Sequence, residues 1–242
     1  MKRIVNALDK LNWGKRACAL SVLYATAISL PAQTFTTLYS FDGGDGGDPV
    51  GALVQAIDGN LYGTTGSGGA NGQGTVFKIS PSGALTTIHN FCSQSGCPDG
   101  EGPSAGLLLA TDGNLYGTTG HGGANQGGTV FRISQSGALT AIYSFCYQSV
   151  CADGTGPAGG LVQANDGDFY GTTGAGGSNG QGTVFKITPG GALTTLASFS
   201  RHTGCHDGVA PSAALVQADN GNFYGTTDGG GDNCLGSVFE IT

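Results

Sequence analysis

Four aspartates at a constant spacing are the residues of this chain that could bind a metal ion together. Each begins an Asp-Gly-x-x-Pro string, and successive copies lie 54 residues apart: Asp45, Asp99, Asp153 and Asp207. In a radial fold the four carboxylates could surround one axis and hold Ca²⁺ or Mg²⁺, which prefer oxygen ligands. The alternative is structural, because Asp caps turns, Gly supplies a positive φ and Pro directs the chain into a strand. Recurrence with the repeat favours the structural alternative, and Ca²⁺ is the cofactor we name for the metal-binding one.

Glycine-rich loops carry a second set of polar residues with the same spacing. Their asparagines are Asn71, Asn125, Asn179 and Asn233. We interpret them as turn residues that could also form a polar rim for a sugar. A phosphate cradle is not expected, since the loops lead into strands rather than helices and no Walker lysine follows.

The N-terminal segment differs in composition from the rest of the chain. Basic residues precede an apolar run, Ala17 to Leu30, which ends at Pro31-Ala32. This layout predicts a signal peptide over residues 1–32, with an uncleaved anchor as the alternative. The part after the leader, residues 33–242, has four basic and fifteen acidic residues and a net charge of −11. Such a surface disfavours nucleic acid and anionic lipid as partners. The sequence contains no other apolar stretch long enough to span a membrane.

Six cysteines follow the leader, an even number that indicates disulfides in an exported chain. Two pairs have C-x4-C spacing, and the remaining two have no other partner. The predicted bonds are Cys92–Cys97, Cys146–Cys151 and Cys205–Cys234. Each six-residue loop contributes about 2 kcal/mol by chain entropy, enough to pin a loop. His202 and His206 leave a zinc site near Cys205 as an alternative.

A 54-residue repeat organises residues 33–242. Each copy contains a Tyr-Gly-Thr-Thr string and, fifteen residues after its tyrosine, the phenylalanine of a Val-Phe string, as in Tyr116 and Phe131. Repeats of this length are typical of solenoids and propellers. In the second repeat we predict strands over 106–110, 114–119, 129–134 and 138–145. Asp112-Gly113 predicts a two-residue type I′ turn between the first two.

Neighbouring apolar residues in these strands, such as Leu115 and Tyr116, point to opposite faces of a sheet. Both faces must therefore be covered, as in a propeller blade. We predict an all-β propeller of four four-stranded antiparallel blades. Three blades lie at about 51–91, 105–145 and 159–199, and the fourth combines 34–41 with 213–242. The ring would close by pairing of Thr34–Phe41 with the C-terminal strands. A ring completed by a second chain, or a fragment of a longer propeller, is the alternative.

The repeated strings Asp-Gly-Asn-Leu-Tyr-Gly-Thr-Thr, Gly-Thr-Val-Phe-Lys-Ile and Gly-Ala-Leu-Thr-Thr resemble the GloVer-type tandem repeat. The resemblance covers residues 34–242. It implies an exported bacterial, propeller-like protein of undefined biochemical role, often with a C-terminal sorting anchor. This chain ends at Thr242 without such an anchor, which leaves surface attachment open.

Three functions follow as hypotheses. The first is a secreted or cell-surface scaffold, a monomer or a ring-completing dimer, that binds a glycan, a cation or a surface protein. The second is an extracellular lyase or glycosidase, and the third is a purely structural module. Catalytic groups need different roles and therefore break a repeat's symmetry. The departures from symmetry are modest and we assign no catalytic residue, so binding is favoured over catalysis.

Overall fold

The computed structural model describes residues 33–200 and 208–242. The chain divides into two units, Met1–Thr37 and Leu38–Thr242. Of the first unit only residues 33–37 are described, and they are exposed and contain no strand. The predicted leader, residues 1–32, lies outside the described part of the chain.

The second unit consists of four antiparallel sheets in chain order, named sheets A to D here. Sheet A contains β1 (Gly47–Gln55), β2 (Leu61–Ser67), β3 (Thr75–Ile79) and β4 (Leu85–Asn90). Sheet B contains β5 (Glu101–Pro103), β6 (Leu108–Leu109), β7 (Leu115–His121), β8 (Thr129–Ile133) and β9 (Leu139–Ser144). A 3₁₀ turn, Ser149–Cys151, precedes sheet C.

Sheet C contains β10 (Thr155–Pro157), β11 (Val162–Gln163), β12 (Phe169–Ala175), β13 (Thr183–Ile187) and β14 (Leu193–Ser198). Sheet D contains β15 (Gly208–Pro211), β16 (Val216–Gln217), β17 (Phe223–Gly230) and β18 (Ser237–Ile241). In sheets B to D the first strand position is split into two short pieces that both pair with the next strand. The predicted strand over 106–110 is therefore shorter than expected, and a piece before it, β5, was not predicted.

The turn between the first two strand positions differs from the prediction in its geometry. Gly113 has a φ of +79°, whereas Asp112 has a negative φ. A type I′ turn needs a positive φ at both central residues, so the type I′ prediction is wrong. The backbone N–H of Gly113 donates to the carbonyl of Ala110 at 3.0 Å, and the N–H of Ala110 donates to Asn114 at 2.9 Å. The loop is thus longer than two residues, with Gly113 in the left-handed position.

The hydrophobic core lies between neighbouring sheets, as the apolar neighbours in each strand predict. Between sheets A and B, Tyr62 and Val76 pack with Leu115 and Phe131. Equivalent clusters join sheet B to sheet C and sheet C to sheet D. Within sheet B, Gly117 leaves room for the ring of Phe131 on the neighbouring strand, because a Cβ there would lie 2.5 Å from that ring. The result is an all-β, propeller-like stack of four sheets.

The predicted closing pair is not found among the described strands. Residues 33–46 contain no strand, and β18 pairs with β17 alone. Instead, Leu38–Phe41 lies against sheet A. The ring centroids of Phe41 and Phe77 lie 5.1 Å apart. Phe91, which follows β4, packs in the same way on Phe131 of sheet B, with the centroids 5.3 Å apart. Leu38–Phe41 therefore lies against sheet A as the last strand of one sheet lies against the following sheet, although it forms no strand pairing.

Candidate functional site

The two rims of the sheets differ in the connections that they carry. One rim, called the loop rim, holds the Asp-Gly-x-x-Pro strings, the glycine-rich loops and the cysteine loops. The other, called the turn rim, holds the tight turns around Gly59, Gly113, Gly167 and Gly221. All described residues that were predicted as ligands lie on the loop rim.

The described aspartates of the loop rim are bound within their own loops. Asp153 is fully buried and accepts hydrogen bonds from the Tyr143 hydroxyl at 2.8 Å and the Tyr147 N–H at 3.0 Å. The Gln148 N–H donates to its other oxygen at 3.2 Å. The carboxylate therefore closes the loop between β9 and β10. Burial and the bond to Asp153 together raise the pKa of Tyr143.

The same arrangement occurs at the two earlier positions. Asp99 pairs with His89 at 2.9 Å between carboxylate oxygen and Nε2 and accepts from the Cys92 N–H at 3.2 Å. Asp45 accepts from the Tyr39 hydroxyl and from the Asp42 N–H. The hydrogen bond from Tyr39 lowers the pKa of Asp45. In each case one partner is an aromatic ring two positions before a phenylalanine: Tyr143 before Phe145, His89 before Phe91 and Tyr39 before Phe41.

These contacts support the structural alternative for the aspartates. Among the described residues, none of the three belongs to a group of three ligand side chains with donor atoms within 4.8 Å of one another. Asp207 lies outside the described residues. The calcium site stays a prediction without geometric support, and the turn-capping role accounts for the observed bonds.

The asparagines of the loop rim have local contacts of the same kind. Asn71 donates to the Phe91 carbonyl at 2.8 Å, and Asn125 donates to the Ser144 carbonyl at 3.3 Å. Asn179 and Asn233 are exposed. Two of the four thus connect the glycine-rich loop to the end of the outer strand. A sugar rim made of these residues remains a prediction.

Disulfides link Cys92 to Cys97 and Cys146 to Cys151, the pairs that the spacing predicts. Cys234 is also disulfide-bonded, whereas its predicted partner Cys205 lies outside the described residues, as do the two histidines of the zinc alternative. Disulfides persist in oxidising compartments, so these bonds fit an extracellular or periplasmic protein. Within the described ranges, no helix has the length and hydropathy of a membrane span.

An axial cavity of about 380 Å³ is lined by the first strand positions of all four sheets. Its lining combines small residues, such as Gly51, Ala105, Gly159 and Ala214, with three leucines, Leu107, Leu108 and Leu161. The polar side chains in it are Ser104 and Ser212, and each hydroxyl donates to a protein oxygen at 2.6 Å. No ionisable side chain is among these described lining residues.

The turn rim carries a repeated tyrosine–carboxylate pair that sequence reasoning missed. The hydroxyl of Tyr62 donates to Asp58 at 2.8 Å, and that of Tyr116 donates to Asp112 at 2.9 Å. Burial, and then the carboxylate, raises the pKa of both tyrosines to about 12. The signal was available, because Asp and Tyr are four residues apart in three of the four repeats.

In sheet C the pair becomes a larger charged cluster. Tyr170 donates to Asp166 at 2.9 Å, and Lys186 lies 2.9 Å from Asp166 and 2.8 Å from Asp168. The hydrogen bond from Lys186 is the main cause of the lowered pKa of Asp166. The bonds to Asp168 and then Asp166 raise the pKa of Lys186. The carboxylate at this point of the rim is therefore ionised at neutral pH.

A cavity of about 480 Å³ opens next to this cluster, between sheets C and D. Tyr170 and Phe223 stack in its wall with ring centroids 4.0 Å apart. The Asn165 N–H donates to the Gln217 side-chain oxygen across the two sheets at 3.2 Å. The lining combines carboxylate, amide and hydroxyl groups with apolar surface: Asn165, Asp166, Tyr170, Leu196, Gln217, Gly221, Phe223, Ile241 and Thr242.

One protein family matches the whole repeat array. The family described as the Gloeobacter/Verrucomicrobia repeat matches residues 22–165 and 147–242. The chain belongs to this family. The match confirms the resemblance carried by the Tyr-Gly-Thr-Thr and Val-Phe strings. No curated protein matches the chain.

Solved structures with a similar arrangement to this repeat-family member include propeller-like enzymes. One is the PQQ-bound aldose sugar dehydrogenase from Streptomyces coelicolor, with a TM-score of 0.48, 17% identity, and coverage of 81% of this chain and 60% of that one. Another is an ulvan lyase from a new polysaccharide lyase family, with a TM-score of 0.46, 13% identity, and coverage of 76% and 48%. The chain thus spans 60% or less of these proteins, and the likeness concerns the fold alone.

Proposed function

We propose that this protein is an exported repeat scaffold that binds a neutral glycan on its turn rim, in the cavity between sheets C and D. The observation that carries the proposal is the composition of that cavity. Asp166, Asn165 and Gln217 offer hydrogen-bonding groups beside the apolar surface of Leu196 and Phe223. A few polar groups in a largely apolar pocket are the usual pattern of a ligand site.

The chemistry of a sugar matches this lining. Each sugar hydroxyl is both donor and acceptor, and the carboxylate and the two amides supply acceptors and donors. The apolar C–H face of a sugar ring can pack on Leu196 and the edge of Phe223. The net charge of −11 after the leader opposes binding of polyanions, which favours a neutral glycan.

Binding is favoured over catalysis by the distribution of ionisable groups. The carboxylates near the cavity are held in ion pairs with Lys186, and the described residues that line the axial cavity include no ionisable side chain. Export is supported by the two disulfides, which form in oxidising compartments.

The proposal includes a closed ring of blades, in which Leu38–Phe41 provides the outer segment of the blade that contains β15 to β18. Its support is the position of this segment on sheet A. A Cβ at Gly83 would lie 2.6 Å from the Leu38 carbonyl, as one at Gly137 would lie 2.4 Å from the Ile88 carbonyl of β4. The segment is thus seated like the outer strand of a preceding blade.

A glycan array followed by isothermal titration calorimetry tests the site. We expect Gln217→Ala to weaken binding of the best glycan about five- to tenfold, since one good polar contact contributes roughly 1–1.5 kcal/mol. Gln55→Ala is the matched control, because Gln55 makes the same bond to its own turn, to the Gly59 carbonyl at 3.2 Å, but lines no such cavity. Equal loss in both variants, or an array without specific binding, would overturn the proposal.

A further inference from the structure

The four sheets contain one interface three times. The face of each sheet toward the next, called its exit face, presents a tyrosine and a valine. The opposite side, called its entry face, presents two leucine or phenylalanine side chains, a phenylalanine and an isoleucine. At the first interface these are Tyr62 and Val76 of sheet A on Leu107, Leu115, Phe131 and Ile133 of sheet B.

The burial of this interface is nearly complete wherever two sheets meet. The exit-face valines Val76, Val130 and Val184 are 0% exposed. The leucines of the facing entry surfaces, Leu107, Leu161 and Leu215, are 8%, 7% and 3% exposed. The interface therefore removes these side chains from water each time it forms.

The two end sheets present the same residues without a partner sheet. Val238, on the exit face of sheet D, is 77% exposed, and Val216 beside it is 64% exposed. Leu53, on the entry face of sheet A, is 49% exposed. The exit face of sheet D is thus open, and the entry face of sheet A is open at Leu53, whereas Phe77 and Ile79 of that face are 4% and 5% exposed beside Leu38–Phe41. Exposed apolar surface of this kind marks an interaction site.

Hydrogen bonds from threonine hydroxyls to backbone carbonyls also join neighbouring sheets near the axis. The hydroxyl of Thr64 donates to the Ala105 carbonyl of the next sheet at 2.8 Å, and that of Thr172 donates to the Ala213 carbonyl at 3.3 Å. Thr226 is the equivalent residue of sheet D and is exposed. Its acceptor by position is the carbonyl of Gly51, which is exposed on sheet A.

Sheets D and A of one chain do not form this interface with each other. A ring made of these four sheets alone would bring the exit face of sheet D onto the entry face of sheet A. The exposure of Val238 and Leu53 shows that this contact is absent. A ring with this interface therefore needs blades in addition to these four sheets.

The entry face of sheet A also has an outer segment beside it, which sheet D lacks. A cavity of about 410 Å³ lies on that face, lined by Leu53, Phe77 and Ile79 together with Leu38 and Phe41. Sheet D ends at β18 and has no outer strand after it among the described residues. A sheet D docked in this cavity would have Leu38–Phe41 beside it in the place of its outer strand.

We propose that the open exit face of sheet D docks on the open entry face of sheet A of a second copy of this chain. The same contact in the reverse direction joins the second copy to the first. Such a head-to-tail contact closes when the rotations complete a circle. Two copies supply eight sheets, which is within the usual range of about four to eight blades, whereas three copies would exceed it. This inference uses the ring proposed above but is independent of the glycan site.

Native mass spectrometry and sedimentation velocity on the purified protein test the proposal. We expect the wild type to have twice the mass of one chain. Val238→Asp and Leu53→Asp should each raise the dissociation constant at least about a hundredfold, because either change buries an unpaired charge in both junctions. Both residues are exposed in one chain, so circular dichroism melting of the separated chains should change little.

Mixing the two variants distinguishes head-to-tail docking from other arrangements. In the mixture, the Leu53→Asp variant supplies an intact exit face and the Val238→Asp variant an intact entry face. We therefore expect a mixed dimer with a single junction, under conditions in which neither variant dimerises alone. Val150→Asp is the control, since Val150 is 88% exposed in a cysteine loop outside both faces, and the dimer should persist. A monomeric wild type, or a loss of dimer in only one of the two face variants, would contradict the proposal.

Discussion

Sheets B and C each have two neighbouring sheets, whereas each of the two end sheets has one. The repeat places the same residues in all four, yet Val130 is buried and Val238 is exposed. Tyr116 is fully buried, while Tyr224 at the same position of sheet D is partly exposed. The difference shows that a blade of this family does not bury its own core. Stability in this array comes from contacts between blades, as expected for a repeat protein.

The largest difference between inner and end sheets is expected at the phenylalanine of the third strand position. Phe131 is fully buried against Phe91, and Phe131→Ala should lower the free energy of unfolding by about 3–5 kcal/mol through transfer and cavity costs. Phe239 makes the same edge-to-ring contact with Phe199 at 5.0 Å but remains partly exposed. Phe239→Ala should therefore cost clearly less in urea unfolding. Equal costs would mean that the exposed fraction of this ring does not set its contribution to stability.

A second difference concerns the aspartates that close the loops between blades. Asp153 lies between sheets B and C and is fully buried, so Asp153→Ala leaves a tyrosine hydroxyl and two backbone N–H groups without their acceptor. An unsatisfied buried group costs about 1–3 kcal/mol, and thermal unfolding should occur several degrees lower.

The matched change is Asp45→Ala, at the open entry of sheet A. Asp45 accepts from Tyr39 and Asp42, but Tyr39 is 38% exposed and water can replace the lost bond. The shift in melting temperature should therefore be smaller than for Asp153→Ala. Added Ca²⁺ gives an independent check on the role of these residues. Stabilisation by Ca²⁺ that disappears in both variants would restore the metal-binding interpretation over the structural one.

Much of the blade could be predicted from the sequence because its signals are local. Adjacent apolar residues such as Leu115 and Tyr116 require cover on both faces, and the structure confirms it. Cysteines five positions apart need only a local turn to come within bonding distance, so their pairing does not depend on distant parts of the chain. The existence and order of strands, and the all-β class, follow from such short-range patterns.

The remaining features depend on distances that a repeat period does not contain. Whether Thr34–Phe41 meets Ser237–Thr242 depends on the rotation between sheets, and a 54-residue period does not determine an angle. The turn at Asp112-Gly113 also depends on context, since the Asn114 carbonyl accepts from Ala110 and lengthens the loop. The turn-rim pairs could have been predicted, because Asp58 and Tyr62 keep their offset in the next two repeats.

The smallest expected difference between inner and end sheets is in the response to alkaline pH. Burial and then Asp112 raise the pKa of Tyr116 to about 12 in the folded protein, above its ordinary value of 10.0. The folded state thus holds the hydroxyl proton more tightly than the unfolded chain. Its contribution to stability is complete below pH 10 and is lost as the pH rises through about 12.

Urea unfolding followed by circular dichroism at steps from pH 9 to pH 12 measures this effect. The wild type should lose stability across that interval, and Tyr116→Phe should lose less, since it has no hydroxyl to ionise. Tyr224→Phe removes the equivalent hydroxyl from sheet D, where it donates to the exposed Glu240 at 2.7 Å, and it should leave the wild-type slope almost unchanged. If both variants reduce the pH dependence equally, burial of the Tyr116 ring between two blades is not the cause of its raised pKa.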